Sequence, residues 1–154
     1  MTPSPTFLGN RTLWEGEKTA YLCSEKYPAG AVLRSLDWAR AQVKAGCTVI
    51  SGFQSPLERD VLNILLEAQS PVIIALARGV YTKPLREHRA AFDAGCVLYV
   101  SVFPESIVRA THGLAERRNR FVLENADLCC IGYARPGGSL ERVITETGVV
   151  TQDI

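Results

Sequence analysis

Residues 45–57 read Ala45-Gly46-Cys47-Thr48-Val49-Ile50-Ser51-Gly52-Phe53-Gln54-Ser55-Pro56-Leu57. This stretch passes from a helix end through a strand to a helix start. Gly46 follows a helical stripe and suits the left-handed position that closes a helix. Cys47–Ile50 is short and mostly apolar, the mark of a strand covered on both faces. Ser51-Gly52 is a tight turn, and Ser55 before Pro56 is an N-cap with proline at the first helical position. The motif recurs at Ala94-Gly95-Cys96. Further apolar runs occur at Thr19–Cys23, Pro71–Leu76, Cys96–Val100 and Asp127–Ile131. Between runs the spacing turns helical: Val32, Leu36, Ala39 and Val43 in one segment, and Leu57, Val61, Ile64 or Leu65, and Ala68 in the next. Such stripes bury one face against a sheet. Pro104-Glu105 reads as another helix start. Five β-α units in succession predict a three-layer, doubly wound α/β domain with a parallel sheet and helices on both faces. Residues 1–18 are expected to form an N-terminal arm and residues 19–154 the single domain. The chain from Gly148 is either a sixth short strand or a frayed tail.

The chain has 154 residues, 47% of them hydrophobic and 21% charged, with a net charge of +1. That is the composition of one globular domain and excludes extensive disorder. No apolar run approaches the roughly 18 residues that span a bilayer, and the first residues lack the apolar core of a signal peptide. A whole-molecule polycation is also excluded, so binding to nucleic acid requires a local patch. The five cysteines, Cys23, Cys47, Cys96, Cys129 and Cys130, are odd in number and form no Cys-x-x-Cys pair. They read as free thiols in a reducing compartment, which places the protein in the cytoplasm. No metal site and no cofactor are expected.

In a sheet of this kind ligands bind beyond the C-terminal ends of the strands. Two turns there suit an anion. Ser51-Gly52 leads into the helix begun by Ser55, and Gly137-Gly138-Ser139 leads into a helix beginning near Leu140. Glycine lets the backbone come close, and the free N–H groups of a helix N-terminus favour negative charge. Each turn alone is more often an ordinary tight turn; two on one rim point to phosphate. A basic cluster, Arg109, Arg117, Arg118 and Arg120, precedes the fifth strand. Arginine forks match phosphate oxygens, although a charge run is usually a solvated helix face. Arg117 and Arg120 share a face and Arg118 points elsewhere. Phe53 or Tyr133 stands where a base would stack, with packing as the alternative. The Gly-x-Gly-x-x-Gly fingerprint, the Walker-type Gly-Lys-Ser/Thr and the Gly-x-Ser-x-Gly elbow are all absent, which excludes a standard dehydrogenase, a P-loop ATPase and a serine hydrolase. His88 and His112 read as surface or capping histidines.

Several of these features occur together in a known order: Cys23-Ser24, then Val49-Ile50-Ser51-Gly52-Phe53, Pro71–Leu76 with Gly79, and Phe103-Pro104. Arg118-Asn119-Arg120, Asp127–Cys130 and Gly137-Gly138-Ser139-Leu140 follow. Over residues 19 to 143 this resembles the Rossmann-like core of the bacterial DNA-processing protein A (Smf) family, in the superfamily shared with the "lonely guy" cytokinin-activating enzymes. The resemblance implies binding of single-stranded DNA and help in loading a recombinase. It also implies a pocket built from Ser24, Ser51, Gly52, Arg118, Asn119, Arg120, Gly138 and Ser139, and pairing of two cores in a homodimer. The family's Gly-Ile-Asp and Ala-His residues after Ser-Gly are replaced here by Ser55–Asp60, and Glu25 and Lys26 stand where it carries an arginine. The reading is therefore a stand-alone, diverged core. The "lonely guy" pattern Pro-Gly-Gly-x-Gly-Thr-x-x-Glu is matched at Pro136-Gly137-Gly138 and then departs, with Glu141 falling early.

Three functions follow. The first is a non-enzymatic module that binds a nucleotide or single-stranded DNA through Ser51, Gly52, Gly137, Gly138, Ser139 and Arg118 or Arg120. The second is a nucleoside monophosphate phosphoribohydrolase with Glu141 as the carboxylate and Arg118 on the phosphate. The third is a domain that senses a small nucleotide without turning it over.

Overall fold

The apolar runs form the sheet. In the computed structural model, which describes residues 4–154, seven strands line up in the order β1-β5-β4-β3-β2-β6-β7. They are β1 (Thr6–Gly9), β2 (Lys18–Cys23), β3 (Thr48–Ser51), β4 (Val72–Ala75), β5 (Val97–Ser101), β6 (Leu128–Tyr133) and β7 (Thr151–Asp153). All pairings are parallel except that of β1 with β5. The helices are α1 (Thr12–Glu15), α2 (Ala29–Ala45), α3 (Pro56–Glu67), α4 (Arg89–Asp93), α5 (His112–Asn125) and α6 (Ser139–Thr147). Gly46 closes α2 at φ 71°, in the left-handed region.

Side chains alternate across the central strands and build two cores. Tyr21, Val49, Val72 and Tyr99 face Leu57, Val61 and Leu65 of α3 and Ala31 and Ala39 of α2. Leu22, Ile50, Ile73 and Leu98 face Val122 and Leu123 of α5 and Leu140 and Val143 of α6. This is the expected three-layer, doubly wound arrangement. The chain steps outward from β2 through β3 and β4 to β5, then returns through α5 to place β6 on the other side of β2. The helices that follow β2 and β6 leave toward opposite faces, and a crevice opens between the two strand ends.

Three expectations need correction. An N-terminal arm is expected over residues 1–18, of which 1–3 lie outside the described residues, yet Thr6–Gly9 joins the sheet as its antiparallel edge. Asn10 Nδ2 donates to Gly95 O at 2.8 Å, and the Trp14 ring stacks on Phe121 with centroids 5.8 Å apart. Four residues with one interior neighbour give too short a pattern to read as a strand. Pro104-Glu105 starts no helix. Residues 104–108 are held against the β4 loop, with Gly79 N–H donating to Ile107 O at 2.7 Å. The helix begins at His112, where Thr111 Oγ1 accepts from Leu114 N–H. His88 is not at the surface either. It is buried, and its Nδ1 lies 2.6 Å from Tyr99 Oη. The chain from Gly148 resolves as β7. Among the described residues no helix is long and apolar enough to cross a membrane.

Candidate nucleotide cleft

The crevice is a cleft of about 450 Å³ at the C-terminal ends of β2 and β6. Ser24 closes the gap between those strands: its N–H donates to Tyr133 O at 2.8 Å, and its Oγ accepts from Arg135 N–H at 2.9 Å. The N-terminal ends of α3, α5 and α6 all border the cleft, through Ser55, Thr111 and Gly138.

The three helix ends are not equivalent. Glu58, fully buried, caps α3 from within. Its Oε1 accepts from Gln54 N–H at 2.9 Å and Ser55 N–H at 3.2 Å, and its Oε2 accepts from Cys23 N–H at 2.9 Å. One carboxylate thus ties the end of β2 to the start of α3. Burial pushes its pKa up, against the pull of these N–H groups and of Arg118. At α5 the Thr111 hydroxyl answers one N–H. At α6 the N-cap is Gly138, which has no side chain, so no side chain caps that helix. The end of α6 is the open one, where free N–H groups meet the cleft.

Arg118 forms the floor and is only 5% exposed. Nε donates to Asn119 Oδ1 at 2.8 Å, Nη2 to Gln54 Oε1 at 3.0 Å and Nη1 to Ala75 O at 3.4 Å. A guanidinium has five N–H donors. With three given to these partners, two are left on a group that lines the cleft. Burial lowers the Arg118 pKa, and the charge of Glu58 opposes that shift. The Cys23 thiol beside them is pushed up to about 12 by burial and by Glu58, which makes it an inert wall rather than a nucleophile. Around the mouth stand Lys26, Arg135 and His112 with Glu25 and Glu116, so the rim carries both signs of charge.

Of the residues singled out in the sequence, Ser24, Arg118, Asn119, Gly138 and Ser139 line this cleft. Ser51, Gly52, Phe53, Arg120, Gly137 and Glu141 do not. Ser51 is fully buried, and its Oγ accepts from Phe53 N–H at 3.1 Å, which stiffens the turn. Gly52 supports the arginine floor: a Cβ there would stand 2.2 Å from Arg118 Cζ. Phe53 packs in the core and presents no face for a base. Arg120 turns away to pair with Glu146. Glu141 Oε1 accepts from Gly137 N–H at 3.0 Å. Sequence reasoning missed Glu58 and Gln54, and marked Arg135 only by its place after the fifth strand; Glu58 left the Ser55-x-x-Glu58 spacing of a capping box.

No family model and no curated protein matches the sequence. Solved structures do match in three dimensions, DNA processing protein A among them. DNA processing protein A from Helicobacter pylori, described for its single-stranded DNA binding mode, superposes with a TM-score of 0.74 at 17% identity. The match covers 97% of this chain and 70% of that one. DNA processing protein A from Streptococcus pneumoniae superposes with a TM-score of 0.71, also at 17% identity, over 97% of this chain and 54% of that one. The chain thus spans about half the length of the second protein. These superpositions show that this chain has the fold of the part of DNA processing protein A that it matches.

Proposed function

We propose that the protein is a cytoplasmic, non-enzymatic module that binds a nucleotide or single-stranded DNA through a phosphate held in the cleft. The phosphate sits at the open N-terminus of α6, against the N–H groups that follow Gly138, with Arg135 at its side. The two free donors of Arg118 reach it from the floor. The observation that carries this reading is the meeting of an uncapped helix end with a buried guanidinium that still has donors to give. Each Arg118 nitrogen already has one acceptor, and an anion in the cleft would accept from the N–H groups that remain. The fold likeness to a protein described as binding single-stranded DNA supports the same reading.

Ser139→Asp tests it. The new carboxylate occupies the first turn of α6, where a negative charge stabilises the helix by about 0.3–1 kcal/mol while repelling a phosphate. The expected result is an unchanged or raised melting temperature, with loss of the stabilisation that a short oligonucleotide or a nucleoside monophosphate confers on the parent. Full retention of ligand stabilisation in this variant refutes the site.

The cleft size favours a second reading alongside the first. About 450 Å³ lies within the ~300–1,000 Å³ of small-molecule sites and holds one nucleotide. A domain that senses a mononucleotide without turnover needs nothing more. Hydrolysis at the glycosidic bond needs a carboxylate facing the sugar, and Glu141 is turned to Gly137 instead. Assay of free base released from nucleoside monophosphates separates sensing from hydrolysis.

A further inference from the structure

We infer that the protein carries a second contact for single-stranded DNA outside the cleft: a ridge of Arg78, Arg109 and Arg117 that grips the strand where it leaves the cleft. The inference rests on the proposed reading of the cleft and extends it.

The ridge is built by two loops locked together at the ends of β4 and β5. Gly79 N–H donates to Ile107 O at 2.7 Å, Arg78 Nη1 donates to Val108 O at 3.0 Å, and Ser101 Oγ donates to Arg78 O. Arg78 and Arg109 therefore ride on one joined surface. Arg117 reaches the same surface from α5, its guanidinium 4.9 Å from the centre of the Phe103 ring. Arg78 is held in the same way over Tyr81, at 4.6 Å. The ridge runs on into the cleft, because the residues that follow Arg109, namely Ala110, Thr111 and His112, line the cleft mouth.

Its charge is uncompensated. Among the described residues Arg40, Arg89, Arg120 and Arg142 have carboxylate partners; Arg78, Arg109 and Arg117 are among the arginines that have none. Glu105 lies on the same loop and pairs with none of the three. Three arginines that no carboxylate pairs, on one surface that runs into the cleft and two of them over aromatic rings, form a local patch suited to an anionic partner. The props define the partner further. Arg117, with one face on a ring, keeps the other face for a base and its edge for a phosphate; Arg78 gives Nε to Gly79 O at 3.1 Å and Nη1 to Val108 O and keeps Nη2 for an anion. A cleft that admits one nucleotide requires that nucleotide to be unpaired, so a single strand fits and an intact duplex does not.

The test uses the full chain, a labelled twenty-residue thymidine oligonucleotide, the same oligonucleotide in a duplex, and thymidine monophosphate. The ridge variant carries Arg109→Gln and Arg117→Gln. A control carries Arg40→Gln and Lys44→Gln, the same charge change on α2 toward the opposite end of the strands. Each phosphate contact to a single strand adds about 0.7 to the slope of log affinity against log salt. Loss of two contacts should lower that slope by about 1.4, so the affinity lost between 50 and 200 mM salt shrinks about sevenfold. Mononucleotide binding and melting temperature should stay as in the parent, and the control variant should keep the parent slope. The ridge is refuted if both variants behave alike, if monophosphate binding falls with the slope, or if the duplex binds as tightly as the single strand. The cleft fails separately if Ser139→Asp leaves oligonucleotide binding intact while the ridge variant abolishes it. Absence of oligonucleotide binding by the parent overturns the ridge, and absence of thymidine monophosphate binding as well overturns the cleft with it.

Discussion

Gly52→Ala separates two roles that the Ser51-Gly52 turn could have. If Gly52 lets a phosphate approach the backbone, a methyl group there weakens ligand binding and leaves stability alone. The geometry assigns the close approach to Arg118 instead: the new Cβ would lie 2.2 Å from Cζ, 2.4 Å from Nη1 and 2.5 Å from Nε. Real Cβ contacts do not reach such distances, so the guanidinium must leave its bed and move into the cleft. It gives up its bonds to Asn119 and Gln54 and the weaker one to Ala75. It also moves away from the buried carboxylate of Glu58. Hydrogen bonds to charged groups contribute about 1.5–3 kcal/mol each, partly recovered from water once the side chain is in the cleft. A net loss of about 2–4 kcal/mol follows. For a domain of this size that lowers the melting temperature by about 5–15 °C. The assay is denaturant unfolding of the parent, Gly52→Ala, Arg118→Met and the double variant. The clash disappears once the guanidinium is gone, so the double variant should be about as stable as Arg118→Met alone, with a coupling of about 2 kcal/mol. A Gly52→Ala protein as stable as the parent, or strict additivity in the double variant, refutes the assignment of Gly52 to the arginine floor.

Other outcomes follow from the buried polar groups. Glu58→Gln replaces one acceptor oxygen by an amide that cannot accept from the facing N–H groups, and should cost about 2–4 kcal/mol in denaturant unfolding. His88 has its pKa lowered by burial, so the folded state keeps it neutral while the unfolded chain takes up a proton near the ordinary histidine value of about 6.5. Its contribution is whole above that pH and is lost as pH falls, so acidification from pH 7.5 to 5 should destabilise the parent more than His88→Asn, measured by urea midpoints. Thiol titration at pH 8 should label the partly exposed Cys47 and Cys96 first, and Cys23 only at the rate of unfolding.

The fold was legible because its signals are local and redundant. Each central strand is a short apolar run, and Gly46 and Gly95 punctuate the helix-to-strand transitions at positive φ. The antiparallel edge strand Thr6–Gly9 was not legible, since it depends on pairing with residues about ninety positions away. The cleft was half legible. Strand ends mark a rim, so Ser24, Gly138 and Ser139 could be found by position, and Arg118 by chemical type. The rim residues that serve the fold could not be told from those that face a ligand. Ser51, Gly52 and Phe53 have the residue types of a phosphate turn, yet they shape the bed under Arg118. Glu58 shows the converse. On a helical stripe it reads as an exposed acid of the first turn, and only the fold reveals that three backbone N–H groups enclose it.

That enclosure bears on where an anion can sit. Two helix ends that looked equally suited to phosphate, at Ser55 and at Ser139, are made unequal by the protein's own carboxylates. At α3, Glu58 already occupies the place of an anion and answers the N–H groups of Gln54 and Ser55. A phosphate brought there would meet a buried carboxylate at close range. At α6 the acid of the first turn, Glu141, folds back only as far as Gly137 N–H, outside the cleft, and leaves the N–H groups beyond Gly138 open. Glu58 thus has two effects. It holds β2 to α3, and on the proposed reading of the cleft it fills one anion site and would direct a phosphate to the other. It follows that Glu58→Gln, in whatever fraction stays folded, should weaken the discrimination between the two helix ends. Ser139→Asp should then lose less of its ligand stabilisation in that background than in the parent.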